Sequence, residues 1–176
     1  MLESQVINMD LRALQRISDR FPEIVTMIAT KNNIARTCAY ADVVVGAILV
    51  PGERTPVIVT RDMVRSMKRR SLIIDMSIDQ GGCVETSRPT TLERCTYVEE
   101  GVIHYCVPNI PAAVARTATH AFVNAAMYYI LELADKDFET AIKETPALEI
   151  AINTHDGKML HMSRLNGVEG IQDGLD

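Results

Sequence analysis

The period of the apolar positions changes repeatedly along this chain, and each change predicts an element. Residues 5–8 are apolar at their centre, and Asp10 then stands before Leu11, Leu14, Ile17 and Phe21, which recur at roughly helical spacing. A strand therefore runs into a helix. Asp10 is placed to cap that helix by accepting free backbone N–H groups, Met9 and Leu14 occupy the positions of a hydrophobic staple, and Pro22 closes it. Residues 24–28 form a second β-rich stretch, and a helical segment over 33–39 leads to a third run, residues 42–49, that is nearly continuous in apolar residues. Such a run predicts a strand buried on both faces, as in a parallel sheet covered by helices. Thr60 can cap a helix carrying Met63, Val64 and Met67, and residues 71–74 follow as a fourth strand. Alternation of this kind predicts an α/β fold, a doubly wound parallel sheet with right-handed crossovers.

From Thr96 onward the pattern differs. Residues 102–107 read as another strand, and the turn Asn109-Ile110-Pro111 opens onto a helical C-terminal tail. There Ala121, Phe122, Ala125, Ala126, Tyr129, Ile130 and Leu133 make one broad apolar stripe on a long helix. A further helix over 138–143 stops before Pro146, because the residue preceding a proline is pushed out of the helical region. Residues 166–176 hold three glycines and little periodicity, which predicts a flexible tail.

Composition narrows the function classes. A chain of 176 residues that is 47% hydrophobic has the length of one domain and the material for a sizeable core. The formal charge of −5 carries no basic excess, so nucleic acid is not an expected partner. Cys38, Cys83, Cys95 and Cys106 show neither CxxC spacing nor the density of a disulfide scaffold, which fits buried thiols in the cytoplasm. No apolar run reaches the roughly 20 residues of a membrane span, and the opening MLESQ lacks the regions of a signal peptide. His104, His120, His155 and His161 have no metal-ligand spacing and read as core or surface histidines.

Three loops follow apolar strands. In an open parallel sheet, ligands bind beyond the carboxyl ends of the strands. Ile78-Asp79-Gln80-Gly81-Gly82-Cys83 stands in such a place: paired glycines let backbone approach a ligand, and the carboxylate can accept a proton. The same string also reads as a plain turn with a solvated Asp. Residues 46–52, ending in Pro51-Gly52, offer small residues for a flat ring to lie on, or only a strand end and turn. Residues 107–111 make the third loop, where Asn109 offers an amide or a rigid turn. Asn8 ends the first strand, where dinucleotide folds place an acidic residue on the ribose hydroxyls. Arg88 reads as a partner for a carboxylate or as a member of a surface or interface ion pair.

Four strings carry a resemblance. GAILVPG (46–52), IDMSIDQGGCVETSRPTT (74–91), YCVPNIPAAV (105–114) and YILELAD (129–135) resemble the C-terminal NAD(H)-binding region of the alanine dehydrogenase and pyridine nucleotide transhydrogenase family. The IDQGG and SRPTT strings side by side resemble the dehydrogenase more. The resemblance implies an oxidoreductase with NAD as cofactor that reversibly deaminates L-alanine to pyruvate and ammonia. It implies Asp79 as the catalytic carboxylate, and cofactor contacts at Asn8, Ile48, Leu49, Met76, Ser77, Ile78, Asp79, Val107, Asn109 and Ile110. Asn8 replaces the family's ribose-binding Asp, which leaves NADP open, and Ala29 replaces a polar adenosine contact. The implied organisation is a partial Rossmann-like domain over 1–115, helices over 116–165 that pack on a substrate domain, and a tail over 166–176.

The family's GxGxxG loop and the strand before it have no counterpart in these residues, nor do the substrate-binding lysine, arginine and histidine. In the strand order 3-2-1-4-5-6 the missing strand is the central one, so its absence leaves a gap or forces strand 5–8 against strand 43–49. Two readings follow: a dehydrogenase fragment that works with a complementing chain or as a homo-oligomer, family dehydrogenases being hexamers, or a non-enzymatic interaction module. A transhydrogenase subunit fragment is the third.

Overall fold

The computed structural model describes residues 3–51 and 53–160. Its elements begin with β1 (Gln5–Asn8), α1 (Leu11–Arg20), β2 (Val25–Ile28), α2 (Lys31–Tyr40), β3 (Val43–Gly46), α3 (Arg61–Ser66) and β4 (Leu72–Asp75). Polar residues set the helix starts: Asp10 accepts the Arg12 N–H, Thr30 the Asn33 N–H and Thr60 the Met63 N–H, each satisfying a donor that the first turn leaves open. The expected staple is not closed, since Met9 remains 82% exposed while Leu14 alone is buried.

Strands β1 and β2 pair in parallel, with Asn8 opposite Ile28. Strand β3 pairs in parallel with β4, and β4 with β6 (Val102–Tyr105). An additional strand, β5 (Thr96–Glu99), runs antiparallel to β6 at the edge. Only the change of pattern at Thr96 hinted at it. Of the two outcomes expected without a central strand, the structure takes the gap: β1-β2 and β3-β4-β6-β5 are separate sheets. What joins them is a helix pair, α2 packing against α3. Cys38 from α2 enters one apolar cluster with Met63 and Val64 of α3, Met67 at its C-cap, Ile73 of β4 and Val102 of β6. Each fully buried aliphatic side chain of this kind contributes about 1.5–3 kcal/mol.

The prediction that β3 is buried on both faces fails. Val43 and Val45 are 52% and 55% exposed. The reason is position, because β3 is an edge strand paired with β4 alone and one of its faces is left uncovered.

The chain divides into two compact units, the first comprising 1–48 with 55–108 and the second 49–54 with 109–176. In the second, a 3-10 turn (Ile110–Val114) leads into α4 (Ala115–Asp135), α5 (Phe138–Glu144), α6 (Pro146–Ala151) and the antiparallel pair β7 (Thr154–His155) and β8 (Lys158–Met159). Pro146 ends α5 as expected and also opens α6, where its missing N–H costs nothing. Lys136 joins Glu132 of α4 to Glu144 of α5. The apolar stripe of α4 is uncovered, with Phe122 70% exposed. The tail predicted over 166–176 lies outside the described residues. No described helix is long and apolar enough to cross a membrane.

Candidate functional site

Strand β4 is apolar until its last residue, and that residue organises the loop after it. Asp75 is fully buried. A carboxylate without a cation is tolerated there only because donors surround it. Its Oδ1 accepts the Ser77 N–H at 3.0 Å and the Cys83 thiol at 3.5 Å, and its Oδ2 accepts the N–H groups of Cys83 at 3.0 Å and Val84 at 3.3 Å. Both ends of the loop are thereby clamped to one side chain. Burial first, and then the Asp75 charge, push the Cys83 thiol up to about 12. A thiol held so far into its protonated form is inert.

Between the clamped ends the backbone makes a 3-10 turn (Ile78–Gln80) and two glycine steps, Gly81 at φ 101° and Gly82 at φ 81°. Gly82 is required twice over. Its φ is left-handed, and a Cβ there would stand 2.9 Å from Asp75 Oδ2. A segment before α3 straps the loop from the other side: Thr55 donates to the Gln80 carbonyl at 2.9 Å, Ile58 to that of Cys83 at 2.9 Å, and Glu85 to that of Val59 at 2.9 Å. Asp79 lies exposed on this turn while Ile78 beside it is buried. The turn thus holds a carboxylate out to solvent on a rigid base.

The loop after β3 is tied to the same frame. The Gly46 carbonyl accepts the Met76 N–H at 2.8 Å, and a Cβ at Gly46 would clash with Cys83 Sγ. Two residues on, the Ile48 N–H donates to Ser77 Oγ at 2.8 Å, and the Ser77 hydroxyl donates to the Ile48 carbonyl at 3.0 Å. Ser77 itself is only 5% exposed.

Of the residues singled out from sequence, Ile48 and the run Met76, Ser77, Ile78 and Asp79 are brought together in the first unit. Val107 belongs to the same unit but is buried behind β6. Asn8 ends β1 in the separate two-stranded sheet, where its Oδ1 accepts the Asp10 N–H at 2.9 Å and its carbonyl accepts the Ala29 N–H at 2.9 Å. Leu49, Asn109 and Ile110 fall in the second unit, with Asn109 in the left-handed region at φ 50° before the 3-10 turn. Asp75 was missed. The available signal was an acid closing an apolar strand directly before a two-glycine loop.

A second polar cluster lies behind β5 and β6. His104 is fully buried, its Nδ1 on the Val102 carbonyl at 3.0 Å and its Nε2 on Thr86 Oγ1 at 2.7 Å. Since a carbonyl can only accept, Nδ1 carries the proton and Thr86 donates to Nε2. Burial lowers the His104 pKa and keeps the ring neutral. Tyr97 stacks on it at 5.0 Å, and Arg88 lies 4.1 Å above the Tyr97 ring. Arg88 therefore makes a cation–π contact, and no ion pair to it forms among the described residues. All four cysteines are free, and no group of metal-ligating side chains forms among the described residues.

Parallel strands β3, β4 and β6 with their crossover segments, and a glycine loop at the carboxyl end of β4, define a Rossmann-type α/β domain. Comparison with known proteins makes this specific. Residues 2–162 match the family described as Alanine dehydrogenase/PNT, C-terminal domain. An alanine dehydrogenase of Halomonas elongata is 41% identical over 160 residues, covering 90% of this chain and 43% of that protein. Alanine dehydrogenase 1 of Staphylococcus aureus is 44% identical over 162 residues, covering 90% of this chain and 44% of that protein. Among solved structures, an L-alanine dehydrogenase superposes with a TM-score of 0.78 at 34% identity, over 93% of this chain and 45% of the other. A transhydrogenase from Sinorhizobium meliloti superposes with a TM-score of 0.67 at 19% identity, over 89% of this chain and 45% of the other, which is a likeness of fold. The chain belongs to the alanine dehydrogenase/PNT C-terminal domain family. It spans less than half the length of the relatives it matches.

Proposed function

We propose that this chain supplies the nicotinamide-facing side of the NAD(H) site of a cytoplasmic alanine dehydrogenase, active when a complementary substrate domain and phosphate loop are present. The reaction is L-alanine, NAD+ and water giving pyruvate, ammonium, NADH and a proton. The observation that carries this reading is Asp79, an exposed carboxylate on a braced turn at the carboxyl end of β4. Sites of this fold form where strands end, and a carboxylate there can accept or return a proton during turnover. The family relationship supports the choice of reaction.

The residues fit a flat cofactor ring at this edge. Met76 is 52% exposed beside Asp79, and Ala47 is exposed next to Ile48, so apolar surface lies open at the strand ends. At this edge NAD would supply the hydride acceptor; Asp79 would exchange a proton during turnover, Met76 and the Ile48 side chain would bound the ring, and Asn8 would meet the ribose. Because the Asn8 side-chain oxygen Oδ1 already accepts the Asp10 N–H, what the Asn8 side chain offers is its amide donor, which suits a ribose oxygen of NAD or a 2′-phosphate alike.

Titration of the chain with NADH and with NADPH, followed by cofactor fluorescence, tests the binding claim and the cofactor choice together. A saturable change with NADH is expected, and none at millimolar cofactor would favour the non-enzymatic module. In a complex reconstituted with the N-terminal half of a relative, Asp79→Asn is expected to lower turnover by about 10²–10⁴-fold, the usual contribution of a positioned acid–base group. Turnover that survives Asp79→Asn removes Asp79 from the chemistry.

A further inference from the structure

We propose that Ser77 is a positioning residue that locks the loop after β3 to the loop carrying Asp79, so that a dinucleotide meets the two as one preformed surface. The proposal rests on the dinucleotide reading above, under which both loops face the ligand.

The Ser77 hydroxyl is committed in both directions across the two loops. It accepts from the Ile48 N–H at 2.8 Å and donates to the Ile48 carbonyl at 3.0 Å, linking residues 29 apart in sequence. With the residue only 5% exposed, little of it is left for a ligand to touch. Its own N–H is fixed by Asp75 Oδ1 at 3.0 Å, so the hydroxyl is aimed by the same buried carboxylate that clamps the Asp79 turn. The Ser77 carbonyl in turn accepts the N–H groups of Gln80 at 2.9 Å and Gly82 at 3.0 Å. The hydroxyl and the carbonyl of Ser77 therefore hold loop backbone, and its N–H is held by Asp75. Loops without this lock are ordered only when ligand arrives, and that ordering is subtracted from affinity.

The full chain and its Ser77→Ala variant are compared by amide hydrogen exchange without ligand and by NADH titration. The variant is expected to accelerate exchange at Ile48, Gln80 and Gly82 by about tenfold, the size of one lost net hydrogen bond, with a melting temperature lower by no more than a few degrees, while β4 and β6 amides that exchange by local opening hold. NADH affinity is expected to fall by a similar factor. Unchanged exchange in the two loops overturns the lock. Acceleration spread equally through β4 and β6 overturns it too, since Ser77 would then be a general fold element. Loosened loops with undiminished NADH affinity sever the lock from the ligand. Failure of the unsubstituted chain to bind NADH removes the dinucleotide reading instead, and the exchange comparison still decides whether Ser77 joins the loops.

Discussion

Replacing Gly46 with alanine probes the packing on which the candidate site stands. The backbone of Gly46 is in an ordinary region, so the substitution tests space and not conformation. A Cβ at this position would fall well inside van der Waals contact distance of Cys83 Sγ and 3.6 Å from Asp75 Oδ1. Neither neighbour can yield cheaply. The thiol is fully buried and bonded to Asp75 at 3.5 Å, and Gly46 is fixed by the Met76 N–H on its carbonyl at 2.8 Å. Overpacking of this sort costs about 1–3 kcal/mol, and the tight neighbours place Gly46→Ala near the upper end. At about 2–4 °C per kcal/mol for a chain of this size, the melting temperature should fall by roughly 5–10 °C. The assay is a four-member cycle of denaturant unfolding with wild type, Gly46→Ala, Cys83→Ala and the double variant. Cys83→Ala removes the obstructing sulfur and leaves a small cavity, which the new methyl then partly fills. The double variant should therefore be more stable than the sum of the single losses by about 1–2 kcal/mol. Additivity within about 0.5 kcal/mol would refute the reasoning, because independent sites behave that way.

Thr86→Val leaves His104 Nε2 buried without its donor and should destabilise the chain by about 1–3 kcal/mol in urea unfolding. Burial holds the folded His104 below its ordinary value of 6.5, so the unfolded chain binds the proton first and stability declines as pH drops below 6.5; the His104 ring signals in NMR should stay unprotonated there. Glu100 is held below its ordinary 4.5 by Arg65 and Arg61, so the stability it contributes is present above 4.5 and lost as pH falls through its lowered folded-state value. Glu100→Gln should flatten that part of the acid limb of a thermal melt, and 1 M salt should weaken the effect in the parent by screening. Under native conditions a thiol reagent should label Cys95 readily and leave Cys38, Cys83 and Cys106 untouched until the chain unfolds; early loss of the Cys83 thiol would contradict its clamp.

Legibility varied with the range of the interaction. Asp10, Thr30 and Thr60 cap their helices through bonds to residues two or three positions on, so local sequence suffices to place α1, α2 and α3. Strand β5 escaped because its partner is the hairpin strand β6, and Tyr97 and Val98 have no alternating pattern long enough to announce it. The apolar character of Val43 and Val45 was read correctly as strand and wrongly as two-sided burial. Composition reports what a strand can bury, whereas its neighbours decide what it does bury.

The same division runs through the site. The IDQGG string marked Asp79 and its glycines without a structure, because a carboxylate and two glycines after an apolar strand are a local pattern. By itself the sequence determined the alternation of strand and helix, the caps of α1 and α3, the placing of the loops at strand ends and the family. Only the tertiary structure decided that Asp75 binds residues two, eight and nine positions on, that Ser77 closes on Ile48, that Arg88 lies on Tyr97, and that the sheets stay apart. Local bonding follows from neighbours in the chain, but a buried carboxylate or hydroxyl takes whichever donors the fold brings within about 3 Å, and that set is settled only when the chain has packed.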